Sequence, residues 1–533
     1  MLRGDKYLNH IKTLHIEGFK KFTSLDVVFN EHVNILVGEN EAGKSTILDA
    51  LRTVMNQQYR NADKSVLKDL FNTEMVDAFK AAPSVKTLPR IYIEVELALD
   101  PIQRNATYFY GEVYGERKQQ DLKYGIRFEC KYDEELGTGM EQSILDGKIP
   151  YEYYALNWTT FANRPYQMIK RPLNFLSIDT TNSAAALSFN YYNRTLFTSR
   201  YDEATRARAK NEFRSKLEDA LEAAELPPIS DGRKFGVDSK KVVLETILSV
   251  YENSVALENR GSGMESLIKT QIALDKVNGL DVILMEEPEN HLSFSTLNKM
   301  LYEISSQQEN SQIIVATHSN MIASRLNLKN VLWITEDGIM SLSNVKSDVA
   351  EFFVRADDNA FLQLLLSKKV FLVEGATEFL LLPVFYKQIS GRTIEEDGVS
   401  VISCNGISYK RYLEIAEATG KKIAVVTDND EKADRIAEAS DFNNTHNMQH
   451  IFMGATVDEW TWEACVYKDN REALDRMITI QAGAEYKFHG RDYGTVLGKM
   501  LNNKVDVAYQ MLISGTTFAV PQYIKDAIAW LRE

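Results

Sequence analysis

The sequence predicts an α/β protein of two tandem parallel-sheet units, the first interrupted by a helical insertion. Three observations carry this. Near the start, and again after position 280, short apolar strands run straight into helices: VNILVG leads into STILDALRTVMN, and LDVILME is followed by a helix over 295–307 and by SQIIVATH. Residues 199–226 are dense in charge and alanine and hold no Gly or Pro, the composition of one long helix. From 368 a second alternation begins, with KKVFLVEG, VSVISCNG and KKIAVVTDND as strands and helices between them. That is the pattern of a parallel sheet with crossover connections.

At 533 residues the chain is too long for one core. The expected boundaries are 1–174 and 246–350 for the two parts of the first unit, 175–245 for the insertion and 351–533 for the second unit. The insertion reads either as a solvated amphipathic helix pair or as a dimerisation arm.

In order, KTLHIEGF and LDVVF alternate as strands of a small sheet. Ile47, Leu48, Leu51, Val54 and Met55 lie on one face of the helix after VNILVG. Residues 62–90 read as polar helix and loop, RIYIEVEL as a strand, and the Tyr- and Phe-rich 105–160 as further strands and hairpins. After PPISDG, the run KKVVLETILSVYE is expected to start another helix. Residues 345–365 look like a junction, and Pro383 sits deep in a predicted helix, where it threatens a kink.

Composition is that of a globular protein, 44% apolar and 26% charged, and a net charge of −14 argues against a chain that coats nucleic acid by charge alone. Cys130, Cys404 and Cys465 are odd in number and form no CxxC, which argues against a disulfide framework or a zinc site. A reducing, cytoplasmic setting is expected. MLRGDKYLNHIK lacks the apolar centre of a signal peptide, and no apolar run approaches the roughly 18 residues that span a bilayer, so no membrane is expected as a partner.

GENEAGKST fits G-x-x-x-x-G-K-[ST] between a strand and a helix. Gly38 and Gly43 let backbone N–H groups turn around phosphate, with Asn40 inside the loop and Thr46 opening the helix. Lys44 reaches phosphate oxygens, and the Ser45 hydroxyl can ligate Mg²⁺. DVILMEEPENHL supplies Glu286 for the metal shell and Glu287 to orient or deprotonate water. His318 ends another strand, in position to sense a γ-phosphate. ENRGSGMESL holds a Gly-Ser-Gly turn at Ser262 and Gly263 that opens a helix.

These four elements, in this order, resemble the ATP-binding-cassette type ATPase of DNA-repair and chromosome-maintenance proteins. The resemblance implies ATP sandwiched between two copies, with Ser262 and Gly263 acting across the dimer. It also implies slow turnover, because Glu286 stands where that family usually has Asp. Gln103 is the candidate for its glutamine loop.

In the second unit, Glu374 ends a strand, Gly375 permits the turn, and Glu378 lies in the first turn of the next helix. Asp428 and Asp430 end another strand, on one face by alternation, with Asn429 pointing away. Open parallel sheets bind ligands at the carboxyl ends of their strands, so these acids should converge. Crowded carboxylates call for a hard cation, Mg²⁺ or Mn²⁺.

LVEGATE and VTDND resemble the Toprim fold of topoisomerases, primases and certain nucleases. The two units in tandem resemble the OLD (overcoming lysogenization defect) family of ATP-dependent nucleases, and within it the nuclease subunit of the Gabija anti-phage system. The resemblance implies a further ligand at Glu463, in TWEAC, and a phosphate-side role for Thr427. It also implies a late lysine. Tyr493 occupies its expected place, and Lys499 and Lys487 are the candidates.

The implied reaction is two-metal hydrolysis of DNA phosphodiesters, with ATP gating access. The implied partners are DNA, further copies of the chain in a dimer or tetramer, and a helicase-type protein. KKVV (240–243) and Lys170–Arg171 are basic segments available to DNA. A type IA topoisomerase would need a large gate domain with a nucleophilic tyrosine, and a primase would need a zinc-binding module. The remaining alternative is a non-enzymatic, ATP-switched DNA clamp or sensor in DNA repair.

Overall fold

A computed structural model describes residues 8–112, 122–179, 193, 194, 196–198, 200–227, 229, 233–238, 243–256, 268, 280–290, 292–307, 311–336, 338–355, 360–404, 408–480 and 485–533. Two compact units emerge, one of residues 1–322 with 330–341, the other of 323–329 with 342–533.

The first unit has two sheets with a helix between them. The antiparallel sheet comprises β1 (His10–Phe19), β2 (Phe22–Val28), β4 (Ile91–Ala98), β5 (Tyr110–Glu112), β6 (Leu122–Tyr132) and β7 (Tyr154–Thr160), ordered β2-β1-β4-β6, with β5 and β7 both on the far side of β6. Alternation in β1 buries Ile11, Leu14 and Ile16 completely. The other sheet runs β14-β13-β3-β12-β11-β8, from β3 (Val33–Val37), β8 (Phe175–Asp179), β11 (Val282–Glu286), β12 (Gln312–Ala316), β13 (Val331–Thr335) and β14 (Gly338–Ser341), and is parallel except for β14. All five residues of β3 are buried, as a strand covered on both faces requires.

The helix Lys44–Asn56 places Ile47, Leu48, Leu51, Val54 and Met55 in one core with Ile93, Val95 and Phe128 of the first sheet and Leu284 and Ile314 of the second. Each such side chain contributes about 1.5–3 kcal/mol by burial. Buried Gln312 ties the sheets together: its amide donates to the carbonyls of Ile11 and Asn30, both at 2.8 Å, and accepts from the Ile11 N–H at 2.9 Å.

The long helix spans Glu203–Ala223, opened by Asp202, whose carboxylate accepts from the Thr205 N–H at 2.8 Å. The helix expected over KKVVLETILSVYE does not form among its described residues. Leu244–Thr246 is a single tight turn, and β9 (Tyr251–Glu252) pairs with β10 (Val255–Ala256). Asn253 and Ser254 both take left-handed φ, +49° and +65°, the backbone of a two-residue hairpin turn.

The second unit centres on a parallel sheet ordered β16-β15-β17-β18, from β15 (Lys369–Val373), β16 (Val399–Ser403), β17 (Lys422–Val426) and β18 (Gln449–Phe452). The helices Ala376–Ser390, Tyr409–Thr419 and Ala433–Thr445 are the crossovers. The first runs through Pro383 to Gly391, whose φ of +73° ends it. Phe371, Val373, Ala424 and Val426 share a core with Leu382, Phe385, Trp462, Ile524 and Ile528. The junction at 345–365 holds two helices, Ser347–Arg355 and Phe361–Leu366. A small hairpin follows, β19 (Lys487–Phe488) against β20 (Arg491–Asp492). Among the described residues, no helix is long and apolar enough to cross a membrane.

Candidate active sites

In the first unit β3, β11 and β12 are neighbours, so their carboxyl ends meet at the phosphate loop. Gly43 takes φ +110°, and a Cβ there would stand 2.3 Å from the Phe22 ring. Lys44 is buried, and its ammonium donates to the carbonyls of Gly38 and Glu39, both at 3.0 Å, curled over the loop it would share with phosphate. Burial lowers its pKa. Asn40 and Ser45 are exposed at the loop, and Thr46 is buried in the first turn of the helix.

The three glutamates after β11 separate by partner. Glu286 accepts from Arg52 at 2.9 Å, and Arg52 is itself held by Asp49 and Ser177, both at 2.9 Å. Glu287, at φ +44°, accepts from Asn290 at 2.8 Å and faces the His318 ring at 3.6 Å. Glu289 accepts from the Thr317 hydroxyl at 2.6 Å and from the His318 N–H at 2.9 Å. Burial, then Lys44, lowers the His318 pKa.

Arg52 and Glu289 were missed in the sequence. The signal for Arg52 was a cation on an apolar helix face, and for Glu289 a third acid in EEPEN. Gln103 donates to the Pro172 carbonyl at 3.2 Å and accepts from Asn9. Ser262 and Gly263 lie outside the described residues.

In the second unit β15 and β17 are adjacent, so Glu374 and Thr427–Asp428 meet at one edge. The Thr427 hydroxyl donates to Glu374 at 2.8 Å. Glu378 is buried in the first turn of its helix and accepts from the Gly375 N–H at 3.2 Å. Asp428 accepts from the Trp462 N–H at 2.9 Å, which binds it to the start of the helix Trp462–Met477. Thr461 caps that helix by accepting from the Ala464 N–H, and this places Glu463 in the first turn, buried, 3.5 Å from the Thr377 hydroxyl. Lys504, which opens the helix Lys504–Ile513, stands 3.0 Å from Glu463.

Burial, with Glu463 and Glu374 nearby, pushes the Glu378 carboxyl up to about 7. Burial, then Glu378, Glu463 and Glu374, raises Asp428 well above the usual carboxylate range. Burial opposes the Lys504 charge, but Glu463, Asp428 and Glu378 raise its pKa overall. Glu374, Glu378, Asp428 and Glu463 therefore share one electrostatic neighbourhood with one lysine.

Asp430 is not part of it. Its backbone turns left-handed, φ +53°, and its carboxylate pairs with Arg435. Asn429 is fully buried and donates to the carbonyls of Gly454, Thr456 and Glu459. The sequence-stated lysine candidates point elsewhere: Lys499 donates to the Thr479 carbonyl at 2.5 Å and Lys487 pairs with Glu485 at 3.2 Å, while Tyr493 donates to Glu431 at 3.2 Å.

The donors are all carboxylate oxygens, and burial, then the neighbouring acids, raises the pKa of two of the carboxyls, Glu378 and Asp428. That chemistry fits a hard divalent ion. Among the described residues, no three His, Cys, Asp or Glu side chains already stand around one point. The three cysteines are buried and free.

Residues 365–430 match the family described as "Overcoming lysogenization defect protein-like, TOPRIM domain", and residues 13–182 match the family described as "AAA domain". The chain is 27% identical over 161 residues to the Old nuclease of Escherichia phage P2, a stretch covering 28% of each protein. It is 34% identical over 61 residues to the DNA replication and repair protein RecF of Clostridium acetobutylicum, covering 11% of this chain and 17% of that one. The chain thus spans well under two thirds of either relative. A solved Smc head, bound to the C-winged helix domain of ScpA, is 15% identical with a TM-score of 0.34, over 63% of this chain and all of that one. With phosphate loop and acid edge in place, the sequence joins an AAA-type ATPase domain to an OLD-like Toprim domain.

Proposed function

We propose that this protein is an ATP-binding, metal-dependent DNA endonuclease, whose Toprim carboxylates cut phosphodiesters and whose ATPase domain gates DNA access. The observation that carries this reading is the gathering of Glu374, Glu378, Asp428 and Glu463 beside Lys504 at the carboxyl edge of one parallel sheet. Similarity to the Old nuclease supports it.

Glu374, Glu378, Asp428 and Glu463 would hold Mg²⁺ or Mn²⁺, while Asp430 stands paired with Arg435. The ions, when bound, activate water and neutralise charge on the leaving oxygen. Thr427 fixes Glu374. Lys504 supplies the cation that balances Glu463 and faces developing negative charge on phosphate. In the ATPase domain, Gly38, Asn40, Gly43, Lys44, Ser45 and Thr46 cradle nucleotide, Ser45 and Glu286 serve its Mg²⁺, Glu287 orients water and His318 senses the γ-phosphate. Assembly into a dimer or tetramer through Ser262 and Gly263, and a role in defence against phage, rest on the motif resemblance.

Plasmid nicking in Mn²⁺ tests the reading. Glu374→Ala and Asp428→Ala should each abolish nicking with ATP binding intact. Gating is tested by nicking with ATP, with a non-hydrolysable analogue and with no nucleotide. Cutting that tracks hydrolysis rate instead of occupancy overturns it. The non-enzymatic clamp reading is the alternative. It expects nucleotide-dependent DNA binding and no nicking under any divalent ion.

A further inference from the structure

A cavity of about 260 Å³ opens at the carboxyl ends of β15 and β17, lined by Glu374, Thr427, Ser408, Tyr409, Cys404 and Arg435. The chain crosses from β15 to β16 on one side, and then from β16 to β17 on the other. This is the switch point where open parallel sheets take ligands. The cavity shares Glu374 and Thr427 with the carboxylate edge, so whatever fills it touches that edge.

Its one guanidinium among the lining residues is Arg435, on the first turn of the helix Ala433–Thr445. Arg435 is held by Asp430, which sequence alternation had placed with the other acids. The Asp430 side chain is 49% exposed and that of Arg435 26%. An ion pair so open to water is weakly held and readily exchanged. A phosphodiester offers the same guanidinium two oxygens that share one negative charge, in the bidentate geometry a carboxylate also offers, so the two compete for it.

Building on the nuclease reading, we infer that Arg435 anchors a phosphate of the DNA strand in this cavity, beside the scissile one. In the strand's absence Asp430 holds it. Arrival of the strand exchanges one anion for another on Arg435 and frees Asp430 to turn toward Glu374 and Asp428. The acid missing from the cluster and the cation at the cavity mouth are two ends of one latch, and substrate completes the donor set.

Binding of a labelled DNA duplex to the full chain in EDTA, read by fluorescence anisotropy, tests this without any cutting. Arg435→Ala should weaken binding about tenfold, the size of one lost charge-assisted contact. Arg435→Lys should fall between it and the parent. Asp430→Asn should tighten binding about threefold, and should have no effect in the Arg435→Ala background. A pair that is merely structural would shift both single variants the same way. Weaker binding by Asp430→Asn, or tightening that persists without Arg435, overturns the latch.

Calorimetric Mn²⁺ titration without DNA tests the release. Arg435→Ala should half-saturate at a lower Mn²⁺ concentration than the parent, and an unchanged or higher value overturns it. A protein that shows these opposed effects yet nicks no DNA refutes the nuclease and keeps the anchor. One that nicks DNA without them refutes the anchor alone, and one that binds no DNA refutes both.

Discussion

Lys504 faces three carboxylates and is 3.0 Å from the most deeply buried of them, Glu463. Lys504→Ala should reduce nicking on the order of 10²–10³-fold, the scale of one electrostatic stabiliser. ATP binding should not change, as a fluorescent nucleotide titration would show. A second expectation concerns Glu378. Its folded pKa of about 7 lies above its ordinary value of 4.5, so the native state holds a proton that the unfolded chain has already lost. Stability is therefore full below about pH 4.5 and falls as pH rises toward 7, by about 3 kcal/mol from this group. Bound metal replaces that proton. The rise in melting temperature on adding Mg²⁺ should be small at pH 5.5 and grow toward pH 8, and Glu378→Gln should flatten the trend.

Residue-scale legibility follows from the same chemistry. Glu374, Glu378 and Asp428 could be read because strand, glycine and helix fix where they go. Alternation stopped being informative at Asp430, where the backbone leaves the extended region. Lys504 could not be read, because its place depends on how its helix packs against Ala376–Ser390, far away in the chain.

At the scale of elements, Gly43 shows why one position of the phosphate loop permits no side chain. Gly43→Ala meets a φ of +110° and the Phe22 ring together. It should cost at least about 1–2 kcal/mol from backbone strain alone and remove nucleotide binding, measured by thermal melting with and without ATP. The β9–β10 hairpin argues the opposite case. KKVVLETILSVYE carries helical spacing, but its β-branched residues and the left-handed Asn253–Ser254 turn favour paired strands. Asn-Ser is a weaker turn signal than Asn-Gly, and the sequence reading passed over it. Ser254→Gly should accordingly stabilise the protein slightly, by about 0.5–1 kcal/mol, in chemical denaturation.

For the whole molecule, the strand–helix alternation sufficed to foresee two largely parallel sheets, since each strand of β3, β11, β15 and β17 is a short apolar run ending in candidate site residues. The antiparallel sheet around β4 and β6 was foreseen only as scattered strands, because pairing partners far apart in sequence leave no local mark. Two compact units with separate cores imply separable ligand responses. Lys44→Ala should abolish the thermal shift caused by ATP while leaving Mn²⁺ binding at the Toprim edge unchanged in calorimetry.

Cys130, Cys404 and Cys465 are all buried, and burial pushes each thiol up to about 12. Native protein should therefore resist alkylating reagents and air oxidation, with all three sulfurs reacting only after denaturation. A single engineered cysteine on an exposed position would then be the one handle for maleimide dyes, and distance measurements by energy transfer could follow nucleotide-driven movement without stripping the natural thiols first.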